Sequence, residues 1–222
     1  MNNLLKVNNI LNVDETIAKE IFKSVDLPWK VISNISGFIV KLGELLPKDK
    51  FDKISDDIYI AKTAKVAQTA CLNGPLIIDE CAEIRHCAYI RGSVIIGKNC
   101  VVGNSTELKN AILFNAVQVP HYNYIGDSIL GYKCHFGAGS ITSNVKSDKS
   151  PVTINYNATK INTGLKKFGA IVGDYVEIGC NSVLNPGCII MKNSSIYPLS
   201  SVRGVVAENS IFKAQGNVVK KI

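Results

Sequence analysis

The sequence lacks the features of a membrane or exported protein. No apolar run in its 222 residues approaches the ~20 residues that a membrane-spanning helix needs. The first residues, MNNLLKVNNILNVDET, do not combine a charged start with an apolar core, so we identify no signal peptide. These absences predict a cytoplasmic protein with no membrane partner.

Motifs for metals and nucleotides are also missing. The seven cysteines form no CxxC pair, and we expect reduced thiols that pack as small hydrophobic side chains. A zinc site from Cys81, His86 and Cys87 is conceivable, but no second ligand pair has suitable spacing. No GxGxxG, phosphate-binding loop or HExxH motif occurs. The sequence therefore predicts no metal cofactor.

Positive charge is in excess, with a formal net charge of +7. Lysines concentrate in residues 146–167 and at Lys220 and Lys221. One interpretation is a solvated lysine-rich surface, and the other is an anionic small-molecule ligand such as a phosphate or coenzyme A. We expect no nucleic acid partner, because the chain has neither a basic helix nor an interleaved aromatic platform.

Residues 12–46 predict two helices, which we assign to an N-terminal helical segment, residues 1–56. Asn12 with Glu15 three residues later resembles a capping box. Pro28 suits the first turn of the second helix. The apolar residues between these signals follow a helical spacing, which predicts a face that packs against the rest of the protein.

A different pattern begins at residue 60, where apolar residues recur at every sixth position. Ten successive positions, each six residues after the last, are apolar: Ile60, Val66, Leu72, Ile78, Ile84, Ile90, Ile96, Val102, Leu108 and Phe114. Neither an amphipathic helix nor a half-buried strand sustains a period of six. The period is typical of a parallel β-helix of hexapeptide repeats, in which residues about 18 apart stack in neighbouring coils. We assign this mainly β domain to residues 57–204.

The repeat is interrupted at three places. It slips near Pro120 and resumes at Leu130. Residues 145–168 form an insertion in which the alternating stretches VTINY and TKINT predict a hairpin. The tail, residues 205–222, loses the repeat, and we expect it to cap the open end of the β-helix, where strand edges would otherwise be exposed.

Spacing also predicts a pair of stacked cations. Arg91 and Lys109 are 18 residues apart, and each follows an inward-facing aliphatic residue. Like charges on neighbouring strands are unfavourable, and a bound phosphate would remove the repulsion. From spacing alone, a phosphate-binding pair and two long side chains that diverge into solvent are equally good interpretations.

His121 interrupts the repeat in the stretch PHYNY. A histidine in a partly enclosed cleft is a suitable general base near neutral pH. The alternative is a loop histidine that only bonds backbone. A zinc site that resembles the one between subunits of the β-helical carbonic anhydrases would need two histidines five residues apart, whereas His121 and His135 are fourteen apart.

Three stretches carry a family resemblance: VGNSTELKNAIL, HYNYIGDSILGYKCHFGAGSITSN and KFGAIVGDYVEIGCNSVLNPGCII. They resemble the acetyltransferase domain of bifunctional N-acetylglucosamine-1-phosphate uridyltransferases, over residues 60 to about 203. The resemblance implies a left-handed β-helix and a homotrimer. It also implies transfer of an acetyl group from acetyl-CoA to an amino-sugar phosphate, without a metal.

The resemblance implies a role for particular residues. His121 matches the general base, and Glu107 matches a residue that assists it. The positions that match acceptor contacts are Arg91, Lys109, Tyr124, His135, Asn144 and Lys167. The positions that match acetyl-CoA contacts are Ala138, Cys180 and Pro198, where backbone groups would serve.

Four positions depart from the pattern of this family. They are His135 (asparagine in the family), Val145 (tyrosine), Cys180 (serine) and Pro198 (alanine). The insertion is also longer than the family's loop. The acceptor is therefore open: an amino-sugar phosphate or a nucleotide-linked amino sugar. Residues 1–56 contain no glycine-rich nucleotide loop, and we do not expect nucleotidyltransferase activity. The alternatives are a non-catalytic trimeric protein that binds sugar phosphates or nucleotide sugars, or a remnant of a sugar-1-phosphate nucleotidyltransferase.

Overall fold

Short parallel strands stack in coils 17 or 18 residues long and form a solenoid of about nine turns. The structure is a computed structural model that describes residues 3–221. Residues 1, 2 and 222, at the ends of the predicted segments 1–56 and 205–222, lie outside the described residues. The mainly β hexapeptide-repeat fold is confirmed. No helix within the described range combines the length and apolar character needed to cross a membrane.

The strands form three walls, which succeed one another along the chain. The first wall contains Lys65–Val66, Glu83–Ile84, Val101–Asn104, Gln118–His121, His135–Phe136, Glu177–Ile178, Ser195–Ile196, Ser210–Ala214 and the antiparallel Asn217–Lys220. The second wall contains Cys71–Leu72, Tyr89–Ile90, Ile141–Thr142, Val183–Leu184 and Ser201–Val202. The third wall contains the antiparallel Phe51–Ser55, then Ile58–Ala61, Leu76–Ile78, Val94–Ile96, Ala170–Val172, Cys188–Ile190 and Val205–Val206. Two long strands, Glu107–Leu113 and Tyr124–Leu130, pair with both the second and the third wall.

The N-terminal segment is less regular than the sequence predicts. Its elements are the 3-10 turns Asn3–Leu5 and Val13–Glu15, the helices Val7–Ile10 and Lys19–Phe22, and the 3-10 stretch Pro28–Asn34 that continues as helix Ile35–Leu45. Only the second of the two predicted helices is therefore long. The capping box is not formed either, because the Glu15 carboxylate accepts a bond from Asn115 Nδ2 in the solenoid at 3.2 Å. Asn12 Oδ1 instead accepts the Asp14 N–H at 3.3 Å.

This segment covers the outer face of the third wall. Helix Ile35–Leu45 contacts three strands of that wall, and Trp29 stacks on Phe168 with ring centroids 6.4 Å apart. Outward residues of the wall such as Ile77 and Ile95 are fully buried as a result. Burial of each such side chain contributes about 1.5–3 kcal/mol. The predicted packing role of the apolar helical face is confirmed.

The slip in the repeat occurs earlier than the sequence predicts. Leu108 pairs with Ile90 at a spacing of 18 residues, but Leu113 pairs with Ile96 at a spacing of 17. One residue is thus lost at the bend between these pairs, rather than near Pro120. Phe114, the tenth member of the apparent repeat, is consequently out of register and packs edge-on against the helical segment.

The insertion contains the predicted hairpin. Thr153–Tyr156 pairs with Thr159–Asn162 in antiparallel register. Val152 and Ile154 are fully buried, and a Cβ added at Gly187 would come within 2.8 Å of Val152 Cγ1. The hairpin is therefore docked tightly against the solenoid.

The tail extends the solenoid instead of only capping it. Ser210–Ala214 pairs in parallel with Ser195–Ile196, and Asn217–Lys220 then pairs antiparallel on its outer edge. Phe212 is buried, whereas Val218 is exposed. Strand Ser210–Ala214 therefore supplies an inward-facing residue, Phe212, and strand Asn217–Lys220 covers the outer edge of that strand.

One buried carboxylate leads to a testable prediction about stability. Asp79 is 1% exposed, and within the described chain its Oδ2 has no hydrogen-bond partner. Burial raises the pKa of Asp79. The pKa of Asp79 is thus higher in the folded protein than in the unfolded chain. Protonated Asp79 therefore contributes to stability below the pKa of the unfolded chain, and this contribution is lost as the pH rises through the pKa of the folded protein.

Asp79→Asn should therefore raise the unfolding temperature at pH 7 by about 3–6 °C, because it removes a buried negative charge while keeping a side chain of the same size. The difference from the wild type should shrink as the pH is lowered towards 4. Asp56→Asn, at an exposed position, makes the same change in net charge and serves as the control. Equal shifts in the two variants at both pH values would contradict this explanation.

Candidate active site

Two ion pairs stand side by side on the second wall. Arg91 Nη1 lies 2.8 Å from Glu107 Oε1, and Lys109 Nζ lies 3.1 Å from Asp127 Oδ2. The register of Ile90 with Leu108 places Arg91 beside Lys109, as the spacing predicts. Each cation faces a carboxylate, which balances the repulsion that we expected between them. Stacking is thus confirmed, and charge balance alone does not require a bound phosphate.

Asp127 is the centre of this cluster. It is 3% exposed and accepts bonds from Lys109, from Asn110 Nδ2 at 2.8 Å and from Asn144 Nδ2 at 2.5 Å. Its φ of +48° lies in the left-handed region, which aspartate tolerates better than most residues. A buried carboxylate with three donors holds their side chains in fixed positions. We call Arg91, Glu107, Lys109, Asn110, Tyr124, Asp127 and Asn144 the polar cluster.

Tyr124 lies across the polar cluster. Its hydroxyl accepts a bond from Asn144 Nδ2 at 3.2 Å. A Cβ at Gly126 would come within 2.5 Å of that hydroxyl, so the ring occupies space that only glycine leaves open. Burial, and then the charges of Asp127 and Glu107, raise the pKa of Tyr124. The phenol is therefore protonated at neutral pH and can donate a hydrogen bond to a ligand.

Gly126→Ala should displace the Tyr124 ring and break its bond to Asn144. Loss of one neutral hydrogen bond corresponds to about a twofold to tenfold loss of affinity, which we expect in the KM for the acceptor. The unfolding temperature should change little, because the clash is with the far end of a side chain. Gly37→Ala, which meets nothing within 4 Å, is the control. An unchanged acceptor KM in Gly126→Ala would show that Tyr124 does not contact the acceptor.

A second group of predicted residues lies along the corner between the first and second walls. Successive coils place Asn104, His121, Ala138, Cys180 and Pro198 in one column, which we call the corner column. The residue that follows each member of the column donates its backbone N–H to the carbonyl oxygen of the column member one coil earlier. These N···O distances are 2.8–3.0 Å. The candidate base and the three candidate acetyl-CoA positions are thus aligned along the solenoid axis.

The corner column exposes groups that can bind a ligand. The His121 side chain is exposed and makes no hydrogen bond within the described residues. The backbone N–H groups of Ala138 and Cys180 likewise donate to no atom of residues 3–221. Asn123, which is 2% exposed, fixes the turn: its Oδ1 accepts the His121 N–H at 3.1 Å, and its Nδ2 donates to the Gly137 carbonyl at 2.9 Å.

Two predicted site residues lie apart from the polar cluster and the corner column, and a third, Glu107, lies apart from His121. His135 is on the first wall, where its Nδ1 lies 2.9 Å from Glu177 Oε2. Lys167 is exposed near the end of the insertion. Glu107 bonds to Arg91 and, among the described residues, forms no bond to His121. Its expected assistance to the base is therefore not visible, and in this structure it orients Arg91.

The residues considered for zinc form a different arrangement. His86 Nε2 lies 3.1 Å from Cys87 Sγ, and His86 Nδ1 lies 2.7 Å from Thr69 Oγ1. Within the range that the structure describes, no group of three or more histidine, cysteine, aspartate or glutamate side chains is placed to hold a metal ion.

Sequence reasoning missed Asn110, Asn123 and Asp127. Asn110 and Asp127 are 17 residues apart and adopt the same left-handed conformation, each with a φ of +48°. Their spacing could have linked them only if the shortened coil had been recognised. Asn123 lies within PHYNY, but the partners of its Nδ2 come from the next coil, which the sequence does not reveal.

Comparisons with known proteins agree with this architecture. The family model described as "GMPPB C-terminal domain" matches residues 72–197. A "Bifunctional protein GlmU" from Methanococcus maripaludis is 31% identical, covering 91% of this chain and 50% of the relative. Another "Bifunctional protein GlmU", from Methanococcus vannielii, is 36% identical, and the match covers 58% of this chain and 31% of the relative. The chain spans half the length, or less, of these relatives.

Among solved structures, PerB from Caulobacter crescentus, in complex with CoA and GDP-perosamine, is 17% identical. The superposition covers 69% of this chain and 53% of the PerB chain, with a TM-score of 0.35. We derive nothing further from this similarity. The resemblance predicted from the three motif stretches is confirmed by the GlmU relatives.

Proposed function

The chain belongs to the family of the GMPPB C-terminal domain, and from that membership and the geometry above we propose that it is an acetyltransferase. The proposed donor is acetyl-CoA, and the proposed acceptor is the amine of a phosphorylated or nucleotide-linked amino sugar. One observation carries the proposal: the corner column aligns His121 with free N–H groups of Ala138 and Cys180, at one edge of the wall that carries the cations of the polar cluster. GlmU relatives support the same chemistry.

We assign the role of general base to His121. The acceptor nitrogen attacks the thioester carbonyl carbon, a C–N bond forms, and the imidazole takes the proton that the nitrogen loses. The C–S bond then breaks, and the proton passes to the departing sulfur of coenzyme A. The exposed ring of His121, with both nitrogens unbound within the described residues, is free to make this transfer.

Backbone N–H groups would stabilise the charge that develops on the thioester oxygen. Ala138 lies one coil beyond His121 in the corner column, and its N–H is unoccupied by the described residues. A preorganised donor of this kind stabilises an oxyanion more than a ground-state carbonyl. We expect Cys180 and Pro198, further along the same column, to contact the rest of the coenzyme.

The polar cluster would bind the acceptor. Arg91 uses one donor for Glu107 and keeps others that can bind phosphate oxygens bidentately. Lys109 is held by Asp127 at a fixed distance, and the Tyr124 hydroxyl can donate to a sugar oxygen. We retain His135 and Lys167 as proposed acceptor contacts, and the homotrimer remains a prediction.

An assay of coenzyme A release tests the proposal. Acetyl-CoA is supplied with glucosamine-1-phosphate, with other phosphorylated amino sugars and with nucleotide-linked amino sugars. We expect release with at least one of them, with a product heavier by one acetyl group. No release with any amino sugar would reject the proposal. Binding without release would favour the non-catalytic protein that binds sugar phosphates.

A further inference from the structure

The docked insertion and the second wall enclose a cavity of about 350 Å³. The wall contributes Ser143, Asn185 and Arg203, and the insertion contributes Lys146, Asp148 and Thr153. Because the hairpin is anchored by two fully buried residues, Val152 and Ile154, the side of the cavity is a fixed surface. None of these lining residues belongs to the polar cluster or to the corner column.

The cavity continues the site on the second wall. Ser143 lines it, and Asn144, the next residue, belongs to the polar cluster through its bond to Asp127. Strand register aligns the outward positions of this wall in the order Lys109, Gly126, Ser143, Asn185 and Arg203. The two cations are thus four strand spacings apart, or roughly 19 Å. Ser143, between them, is small, whereas the Tyr124 ring occupies the space over Gly126, so a ligand that reaches from the cavity to Lys109 would contact the Tyr124 hydroxyl.

Arg203 is the free cation of the cavity. Its side chain is exposed, and among the described residues it forms no ion pair or hydrogen bond. The other charges are already matched, because Lys146 Nζ lies 3.5 Å from Asp148 Oδ2. Asp148 also accepts the Ser150 N–H at 3.0 Å, and that bond lowers the pKa of Asp148. The guanidinium therefore leaves an uncompensated positive charge in a polar cavity.

The remaining lining groups are hydroxyls and amides. Ser143 and Thr153 supply hydroxyls. Asn185 uses its Nδ2 on Ser201 Oγ and on the Val202 carbonyl, which leaves its Oδ1 free to accept. Among the described residues that line the cavity none is aromatic, so nothing there stacks on a nucleobase. The cavity is suited to phosphate oxygens and sugar hydroxyls.

We propose that this cavity binds the diphosphate and ribose of a nucleotide-linked amino sugar, with Arg203 as the phosphate ligand. The polar cluster then holds the sugar end of the same molecule. The choice of acceptor rests on the proposed function, whereas binding of a nucleoside diphosphate does not. Since no base is stacked, the cavity should not discriminate among nucleobases.

Calorimetric titration of the full chain with UDP, GDP and inorganic phosphate tests binding directly. Wild-type protein should bind UDP and GDP with affinities within about threefold of each other, and phosphate more weakly. Arg203→Ala should weaken both nucleotides about tenfold or more, since a charge-assisted hydrogen bond is lost. Arg85→Ala is the matched control, because Arg85 is on the first wall and is paired with Glu83 at 2.9 Å. Arg203→Lys should retain part of the affinity.

The acceptor assay separates this inference from the proposed function. Arg203→Ala should lower kcat/KM for a nucleotide-linked amino sugar about tenfold and leave that for glucosamine-1-phosphate unchanged. Unaltered UDP and GDP binding in Arg203→Ala would overturn the inference. So would a loss confined to coenzyme A, because the cavity would then bind the diphosphate of the donor. No acetyl transfer with any acceptor, together with Arg203-dependent UDP binding, would reject only the proposed function.

Discussion

Replacing His121 with alanine should lower kcat for acetyl transfer by about a hundredfold to ten-thousandfold, the usual contribution of a general base. The acceptor and acetyl-CoA should still bind, because the polar cluster and the free N–H groups of the corner column do not depend on the imidazole. Folding should also persist, since the ring is exposed and the turn is held by Asn123. Steady-state kinetics, with calorimetric binding of coenzyme A, measures both effects.

His86→Ala is the matched control for this experiment. His86 is exposed and occupies the same corner two coils before His121, at the position equivalent to Asn104. Its loss should change kcat by less than about twofold, because it has no part in the proposed proton transfer. If the two alanine variants were equally active, His121 would be a loop histidine and the proposed mechanism would be wrong.

Asp127→Ala should be the most destabilising single change in the polar cluster. It removes the acceptor of three donors and leaves the Lys109 ammonium, whose side chain is 24% exposed, without its counter-charge. It also places alanine at a φ of +48°. Together these effects should cost about 3 kcal/mol, and the unfolding temperature should fall by about 6–12 °C. Thermal unfolding followed by circular dichroism measures the change.

Asp57→Ala isolates the backbone part of this effect. Asp57 has a φ of +55°, but its side chain accepts no hydrogen bond from the described residues. Its loss should cost only the left-handed strain, about 1–2 kcal/mol. Asp127→Asn, which keeps one acceptor and tolerates the backbone conformation, should fall between the two alanine variants. Equal losses at Asp57 and Asp127 would mean that the polar cluster contributes nothing to stability.

These experiments probe two different parts of the proposed site. The polar cluster is closely bonded around the buried Asp127, so we expect its residues to affect stability as well as the proposed binding of the acceptor. The corner column is exposed and held together by backbone bonds, so its side chains can change without loss of the fold. A site of this kind allows the chemical step and the binding of the acceptor to be altered separately.

The sequence by itself determined the solenoid and the stacking of Arg91 on Lys109. A period of six residues sets the wall, the face and the coil of each residue, because inward positions must be apolar in every coil. The hairpin in residues 145–168 was also predictable, since its alternation and its partners are local. The candidate base and coenzyme positions came from family resemblance, and their roles remain predictions.

Only the tertiary structure decided how the side chains are paired. Asp127 compensates Lys109 and Glu107 bonds to Arg91, each across two coils. Asn123 joins the turn of His121 to the next coil through Gly137. One residue is lost at the bend of each of the two long strands, Glu107–Leu113 and Tyr124–Leu130, and the six-residue period did not locate these bends correctly. A docked hairpin then created the cavity with Arg203. Such contacts join residues distant in the chain, and their geometry depends on turn lengths and packing that a local pattern does not encode.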